Sequence, residues 1–242
     1  MIDPIKIFVG TSANNEDAEA EMVLEYTLRK NTTIPLDITW MRQSQDASSI
    51  WGGWSTPRWS TPFSGFRWAI PEACGFTGRA IYMDVDQLNL RDISDLYSID
   101  MHNRPMAARR GKRFGGHEFC VILMDCEVLG DMLQPVARMK GNPDIHHRYI
   151  GMFSGSDYVL DLDPRWNCHD GDGLPIEDIW HLHYTEMATQ PWKPTWFTGQ
   201  TREHPRADLV KLWQDTRAEA ALNGWTPHIS NDTFGQYNII GR

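Results

Sequence analysis

Cysteines are few in this sequence and long hydrophobic runs are missing, and both features limit what the chain can be. The four cysteines are Cys74, Cys120, Cys126 and Cys168. They show neither C-x-x-C spacing nor the density of a disulfide scaffold, which is typical of reduced thiols in the cytosol. No apolar stretch approaches the roughly 20 residues that span a bilayer, and the N-terminus lacks the pattern of a secretory signal. We therefore expect a cytoplasmic protein without a membrane span.

Positive charge is also in deficit. The chain has 23 Lys and Arg against 32 Asp and Glu, a net charge of −9 with a pI near 5.4. This balance gives no general attraction to the phosphate backbone of nucleic acids. Residues 104–113 are a local exception because five of them are cationic. This segment is either a solvated basic loop or a contact for a phosphate or an acceptor, since clustered cations create a local positive field.

The N-terminal part of the chain predicts an α/β fold. Residues 5–10 form an apolar strand that stops at Gly10, residues 16–30 have a partly apolar helical face, and residues 36–40 alternate with period two. A strand, a helix and a second strand in this order make a βαβ unit, so we expect a mostly parallel sheet flanked by helices.

The rest of the chain continues this alternation without an internal repeat or a low-complexity linker. The other predicted elements are helices over 64–73, 92–97, 128–139 and 209–222, and strands over 79–83, 119–124, 158–160 and 179–184. Residues 42–65 and the basic segment are predicted loops. We expect one domain over residues 1–200 and a helical C-terminal extension over residues 201–242.

An Asp-x-Asp motif follows the apolar strand at residues 80–83. Asp84 and Asp86 lie where the backbone leaves the sheet, and ligands of open α/β sheets bind at this end of the strands. Two adjacent carboxylates repel each other unless a cation lies between them, so a hard divalent metal is the natural partner. The motif is short, and alone it is more typical of a solvated strand-to-turn junction.

Segments on both sides of the motif form a pattern that resembles a known family. In chain order, residues 63–71 are similar to S-x-x-R-F-x-x-P, 75–86 to G-x-x-G-x-a-l-y-x-D-x-D, 92–96 to d-i-x-e-L, 162–167 to L-P-x-x-W-N, and 181–192 to i-x-H-y-x-g-x-x-K-P-W. Over residues 5–195 the chain resembles the nucleotide-sugar glycosyltransferases of the GT-A fold, in particular family 8 and its bacterial and phage relatives. The resemblance implies a Rossmann-like, mixed but mostly parallel sheet.

The resemblance also implies a metal site. Asp84, Asp86 and His183 would hold a Mn²⁺ or Mg²⁺ ion that binds the diphosphate of the donor. A mixed Asp and His set suits Mn²⁺ somewhat better, because imidazole is a borderline ligand. His181 shares a strand face with His183, since residues i and i+2 point the same way, so both could approach the site. His183 is preferred because it matches the motif position.

Further roles carry over from the same resemblance. The residues expected to bind the donor are Val9, Gly10, Thr11, Arg67, Asp84, Val85, Asp86 and Lys193. The residues expected to take part in catalysis are Arg67 at the donor sugar or phosphate, Asp125 at the sugar, and Asp157 near the acceptor. Arg67 suits its role because a guanidinium is a fork-shaped donor.

Two departures from the family pattern concern the donor and the acceptor. Gln190 replaces the Lys before Pro-Trp, so a cation that would neutralise the diphosphate is missing at this position. Lys193 or the cationic residues of 109–113 could substitute for it. In addition, residues 117–120 replace a small-residue N-A-G segment, which leaves the sugar and the acceptor geometry open.

The predicted function is metal-dependent transfer of a hexose from a nucleotide sugar, with a UDP-sugar favoured, to an unidentified glycan or small-molecule acceptor. Family precedent implies retention of anomeric configuration. One alternative is a nucleotidyltransferase or phosphohydrolase, for which no P-loop or second acidic motif is visible. Another is a non-catalytic carbohydrate-binding protein of the same fold. A third is a transferase that acts on modified DNA bases, with the basic segment and Trp51, Trp54 and Trp59 as contacts.

Overall fold

The computed structural model describes residues 3–112, 115–192 and 199–231. Its strands are β1 (Ile5–Gly10), β2 (Leu36–Met41), β3 (Arg79–Asp84), β4 (Gln87–Asn89), β5 (Met106–Arg110), β6 (His117–Asp125), β7 (Val159–Leu162), β8 (Cys168–His169) and β9 (His181–His183). Its α-helices are α1 (Ala18–Lys30), α2 (Ile70–Ala73), α3 (Ile93–Tyr97), α4 (Cys126–Gly130), α5 (Val136–Met139), α6 (Ile145–Phe153) and α7 (Ala207–Leu222). Short 3₁₀ turns cover Phe66–Ala69, Pro164–Asn167 and Ile176–Asp178.

A six-stranded sheet with the order β2-β1-β3-β6-β5-β7 forms the centre of the molecule. Five strands run in the same direction, and β6 runs antiparallel to both of its neighbours, β3 and β5. A second, three-stranded sheet has the order β4-β9-β8. The predicted α/β class with a mixed, mostly parallel sheet is therefore confirmed.

The predicted N-terminal βαβ unit is present. β1 and β2 pair in parallel register from Ile5 opposite Leu36, and α1 connects them. The helix begins with acidic residues in its first turn and ends with basic residues in its last, which matches the direction of the helix dipole. Its buried Leu24 and Leu28 pack with Ile7 of β1, which explains why this segment folds against the sheet.

The C-terminal helix α7 packs on α1 rather than projecting from the molecule. Leu209 and Trp213 are buried with Met22 of α1 in one apolar cluster. Two ion pairs at the margin, Lys30 with Glu219 and Arg217 with Glu19, join the same two helices. The division of the chain at residue 200 stays a prediction.

Several predicted elements differ from the structure. The segment predicted as a basic loop contains β5, which places Arg109 inside the molecule. The helix predicted over 128–139 is two short helices, α4 and α5, because Pro135 lies between them and a proline has no N–H to continue a helix. α6 was not predicted. In the part of the chain that is described, no helix has both the length and the apolar character needed to cross a bilayer.

Candidate active site

The candidate site lies where β1 and β3 end side by side. Gly10 is the register partner of Asp84, and the Val85 N–H donates to the Gly10 carbonyl at 3.1 Å. A Cβ on Gly10 would lie 2.5 Å from Phe63 and 2.8 Å from the Tyr82 hydroxyl, so the close approach of these segments requires glycine. The conformation of the Asp-x-Asp segment is thus fixed by the end of β1.

The other two residues expected at the nucleoside have side chains with different partners. Val9 is fully buried in the apolar core on one face of the sheet. The Thr11 hydroxyl donates to Glu21 at 2.6 Å and is also buried. Both residues border the site through their backbone, and their contact with a nucleoside stays a prediction.

Asp84 is held by a buried hydrogen-bond network. Tyr82 precedes it by two residues on β3, so both side chains lie on one face, and the Tyr82 hydroxyl donates to Asp84 Oδ1. Arg67 donates to Tyr82 at 2.9 Å, to the Ser64 carbonyl at 2.9 Å and to the Phe119 carbonyl, and lies 3.5 Å from Asp84. Burial raises the pKa of Asp84, and the Arg67 charge opposes that shift. Arg67 therefore helps to position Asp84, and its contact with the donor stays a prediction.

Asp86 and His183 face each other across the end of the small sheet. Asp86 Oδ1 lies 3.2 Å from His183 Nε2, and Gln190 Nε2 donates to Asp86 Oδ2 at 3.1 Å. The other ring nitrogen of His183, Nδ1, is 3.0 Å from Asn167 Oδ1, a contact that holds the proton on Nδ1 and leaves Nε2 as a ligand. Tyr184 N–H donates to the Asp86 carbonyl at 3.0 Å and joins the two segments.

These residues fit a divalent metal ion. Asp86 Oδ1 is buried and has no hydrogen-bond partner among the described residues, which is costly for a carboxylate oxygen unless a cation satisfies it. Donor atoms of Asp84, Cys120 and His183 all lie within 4.8 Å of one another. Two of the three expected ligands, Asp84 and His183, are therefore close enough to share one ion, and Asp86 Oδ1 lies 3.2 Å from His183 Nε2.

The two histidines of β9 have different environments. Both ring nitrogens of His181 have an amide oxygen within hydrogen-bond distance, Asn89 Oδ1 at 3.1 Å and Gln87 Oε1 at 2.8 Å, and burial lowers its pKa to about 3. Burial also acts to lower the pKa of His183, but the Asp86 carboxylate outweighs it and the pKa is raised. His181 is therefore a core histidine, and His183 is the one that faces the carboxylates.

Gln190 has a definite role at the position where the family pattern has Lys. Besides its bond to Asp86, its amide donates to the Tyr184 carbonyl at 3.0 Å, and the side chain is buried. The residue holds Asp86 in place but supplies no charge. Lys193, the first proposed substitute, lies outside the described residues.

The basic segment, the second proposed substitute, is neutralised by acids. Its ion pairs join Arg109 to Asp172 (2.6 Å) and Glu118 (3.4 Å), Arg110 to Asp161 (3.0 Å), and Lys112 to Asp172 (2.7 Å). Burial acts to raise the pKa of Asp172, but the hydrogen bonds from Arg109 and Lys112 hold it well below its usual range. These three cations are therefore committed to structural pairs, and Arg113 lies outside the described residues.

Asp125 and Asp157 are not brought to the site. Asp125 ends β6, and because this strand is antiparallel to β3, it lies opposite Arg79 at the far end of β3 from Asp84. Its side chain caps α4 by accepting two backbone N–H groups. Asp157 is exposed, and its described contact is a backbone one, in which its carbonyl accepts from Arg104 at 3.0 Å.

A second acid and histidine adjoin the site and were not predicted. His169 of β8 is the register partner of His183, and the two ring centroids lie 5.4 Å apart. Its Nε2 lies 3.1 Å from Glu118 Oε2. Burial acts to raise the pKa of Glu118, but His169 and Arg109 lower it overall, so the carboxylate is ionised. In the sequence, Glu118 is indicated only by the difference at residues 117–120, which replace the small-residue N-A-G segment of the family pattern.

Comparisons with known proteins point to one fold. No protein-family model and no curated protein sequence matches the chain. The solved structure of the galactosyltransferase LgtC, in complex with donor and acceptor sugar analogs, matches with a TM-score of 0.61 at 13% identity, over 89% of this chain and 96% of that one. The glycosyltransferase GlyE of Streptococcus pneumoniae TIGR4 matches with a TM-score of 0.63 at 16% identity, over 95% of this chain.

A bifunctional glycosyltransferase, WbbM, matches with a TM-score of 0.62 at 9% identity, over 90% of this chain. The matched region spans 50% of the WbbM chain and 66% of the GlyE chain, so both of these proteins are longer than the present one. At such identities the similarity is one of fold. The fold of this chain is that of the GT-A nucleotide-sugar glycosyltransferases.

Proposed function

We propose that this chain is a metal-dependent glycosyltransferase that moves a hexose from a nucleotide sugar to an acceptor. The observation that carries the proposal is the buried Asp86 Oδ1, which lacks a hydrogen bond and lies 3.2 Å from His183 Nε2 at the end of β3. Carboxylates at the carboxyl ends of strands are the usual ligand-binding position of an α/β sheet. The shared GT-A fold supports this interpretation.

Asp84, Asp86 and His183 would hold the ion, with Mn²⁺ favoured over Mg²⁺ by the imidazole ligand. When bound, the ion neutralises the negative charge that develops on the leaving nucleoside diphosphate. Neighbouring side chains hold the three expected metal ligands in position. Tyr82 and Arg67 hold Asp84, Gln190 holds Asp86, and Asn167 orients His183.

We further propose a UDP-sugar donor and retention of anomeric configuration, as the resemblance to family 8 implies. In a front-face reaction the acceptor hydroxyl attacks from the side that the diphosphate leaves, and a phosphate oxygen of the leaving group takes the hydroxyl proton. The activity named for one structural neighbour, the galactosyltransferase LgtC, supports a hexose.

A modified DNA base is the less favoured acceptor. The three described cations of residues 109–112 are paired with acids, and the net charge of −9 opposes binding to a polyanion. The indoles of Trp51, Trp54 and Trp59 each pack against Phe66. They contribute to internal packing instead of an open stacking surface.

Donor hydrolysis tests the proposal. A panel of UDP-, GDP- and ADP-sugars is incubated with the protein and Mn²⁺, and release of the nucleoside diphosphate is measured. We expect release from a UDP-hexose, loss of release in Asp86→Asn, and unchanged release in Asp125→Asn, where the asparagine can still cap α4. Normal hydrolysis by Asp86→Asn would show that the metal assignment is wrong. Metal-dependent binding of UDP without hydrolysis or transfer would favour the carbohydrate-binding alternative.

A further inference from the structure

An irregularity in β6 lies directly beside the candidate metal site. Along the β5–β6 pair, Arg109 is opposite Glu118, but the next residue of β5, Ala108, is opposite Ile122. Residues 119–121 of β6 therefore have no register partner on β5. Bulges of this kind turn side chains to new directions and are common beside active sites.

Cys120 is the middle residue of this bulge. Its carbonyl accepts from Gln87 Nε2 at 3.0 Å, which ties the bulge to the residue that follows Asp86. Its Sγ lies within 4.8 Å of a carboxylate oxygen of Asp84 and a ring nitrogen of His183. The thiol therefore stands on the same side of the site as two of the expected metal ligands.

We propose that Cys120 is a further ligand of the metal, which makes the site an Asp, Asp, His and Cys set. This inference rests on the metal site of the proposed function. A thiolate is a soft ligand, so the set favours thiophilic divalent ions such as Zn²⁺, Co²⁺ and Cd²⁺, while Mg²⁺ gains nothing from the sulfur. On binding, the S–H bond breaks, the metal–sulfur bond forms, and the proton passes to solvent.

The geometry favours ligation over a purely structural thiol. Cys74 and Cys126 are buried in an apolar cluster, as is typical of structural cysteines, whereas Cys120 is only partly buried and adjoins two ionisable ligands. Asp86 Oδ1 at the same site is buried without a hydrogen bond, and a cation would satisfy it. A site with this composition would hold Zn²⁺ more tightly than Mn²⁺.

Cobalt spectroscopy of the full chain tests the proposal. Titration with Co²⁺ should produce a thiolate-to-cobalt charge-transfer band that saturates at one equivalent. Cys120→Ser should lack the band and lose affinity for Zn²⁺ by at least about tenfold, a loss that even outer-shell partners of a metal reach. Its affinity for Mg²⁺ should stay unchanged. Cys74→Ala, which removes a core thiol, should keep the band.

A measurement on the wild-type chain tests the proposal even if Cys120→Ser does not fold. Burial raises the pKa of the Cys120 thiol, so iodoacetamide labelling, followed by mass spectrometry, is carried out at alkaline pH, where it should modify Cys120 and Zn²⁺ should protect it. Co²⁺ that binds without a charge-transfer band, together with labelling that Zn²⁺ does not slow, would overturn the role of Cys120 while leaving the metal site intact. If neither Co²⁺ nor Mn²⁺ binds the wild-type chain, the metal dependence of the proposed function fails as well.

Discussion

At the scale of single residues, the site depends on side chains that are not expected to bind the metal or the donor but that hold the expected metal ligands in place. Asn167 is fully buried, and its Oδ1 lies 3.0 Å from His183 Nδ1, so it sets both the tautomer and the ring orientation. Tyr82 and Gln190 do the same for the two aspartates. A metal ligand without such a partner would sample orientations that do not bind.

We predict that Asn167→Ala lowers the affinity for Mn²⁺ by about 10- to 100-fold, because His183 loses the group that orients it. Calorimetric titration with Mn²⁺ measures the change. Asn167→Asp keeps an acceptor oxygen at the same place and should bind Mn²⁺ nearly as well as the wild type. Equal affinity of the alanine variant would show that the contact does not orient the ligand.

Asp17 gives a residue-scale prediction for the dependence of stability on pH. The side chain is buried, and burial raises its pKa from 3.8 to about 7, although the Ser12 hydroxyl donates to it. A raised pKa in the folded state means that its stabilising contribution is present below pH 3.8 and is lost as the pH rises through 7.

Asp17→Asn removes this titration and should raise the free energy of unfolding at pH 8 by up to about 4 kcal/mol relative to the wild type. The two proteins should converge at pH 4, where the carboxyl of the wild type is protonated. Urea unfolding at both pH values measures the difference. A constant offset between the two proteins would contradict the assignment.

At the scale of elements, strand ends build the site, and their directions decide which residues reach it. Asp84 and Gly10 meet because β1 and β3 are parallel, an arrangement that the βαβ pattern of the sequence predicts. The sequence also predicts that β9 carries a histidine to the same place. Asp125 is different. An apolar run does not indicate the direction of a strand, so the sequence did not show that β6 is antiparallel and that Asp125 lies at the other edge of the sheet.

The basic segment shows a second limit of prediction from sequence. Residues 106–110 form a strand between β6 and β7, and the buried Arg109 of this strand pairs with Asp172, 63 residues further along the chain. Composition identifies five clustered cations, but only the fold supplies the acids that pair with Arg109, Arg110 and Lys112. Arg67 is similar: the motif indicates its importance, while its direction toward Asp84 depends on the packing of three segments.

The contact between β1 and β3 gives an element-scale prediction. Gly10→Ala should destabilise the protein by about 1–3 kcal/mol, because the new Cβ overlaps Phe63 and Tyr82 and the strands must shift. Gly141→Ala is the matched control, since a Cβ there meets nothing within 4 Å, and its effect should stay within about 0.5 kcal/mol. Thermal unfolding compares the two. Equal stability of both variants would contradict the close approach.

At the scale of the whole molecule, the C-terminal helix α7 completes the packing on α1. Trp213 on α7 is 3% exposed and lies in the apolar cluster shared with α1. We predict that Trp213→Ala lowers the free energy of unfolding by about 3–5 kcal/mol. Lys211→Ala on the exposed face of the same helix should change it by less than about 0.5 kcal/mol. Chemical denaturation measures both.

The net charge of −9 has a consequence for the proposed donor, because Arg109, Arg110 and Lys112 are already paired with acids and an anionic diphosphate would be repelled. A divalent cation held by Asp84 and Asp86 would offset this repulsion. Binding of the nucleotide and binding of the metal should therefore be coupled.

The most direct test is calorimetric titration of the full chain with UDP, once with Mn²⁺ and once with a chelator. We expect binding only in the presence of Mn²⁺, its loss in Asp86→Asn, and its retention in Asp125→Asn. Binding of UDP that is equally tight in the chelator, or that survives in Asp86→Asn, would show that this site does not hold the nucleotide through a metal.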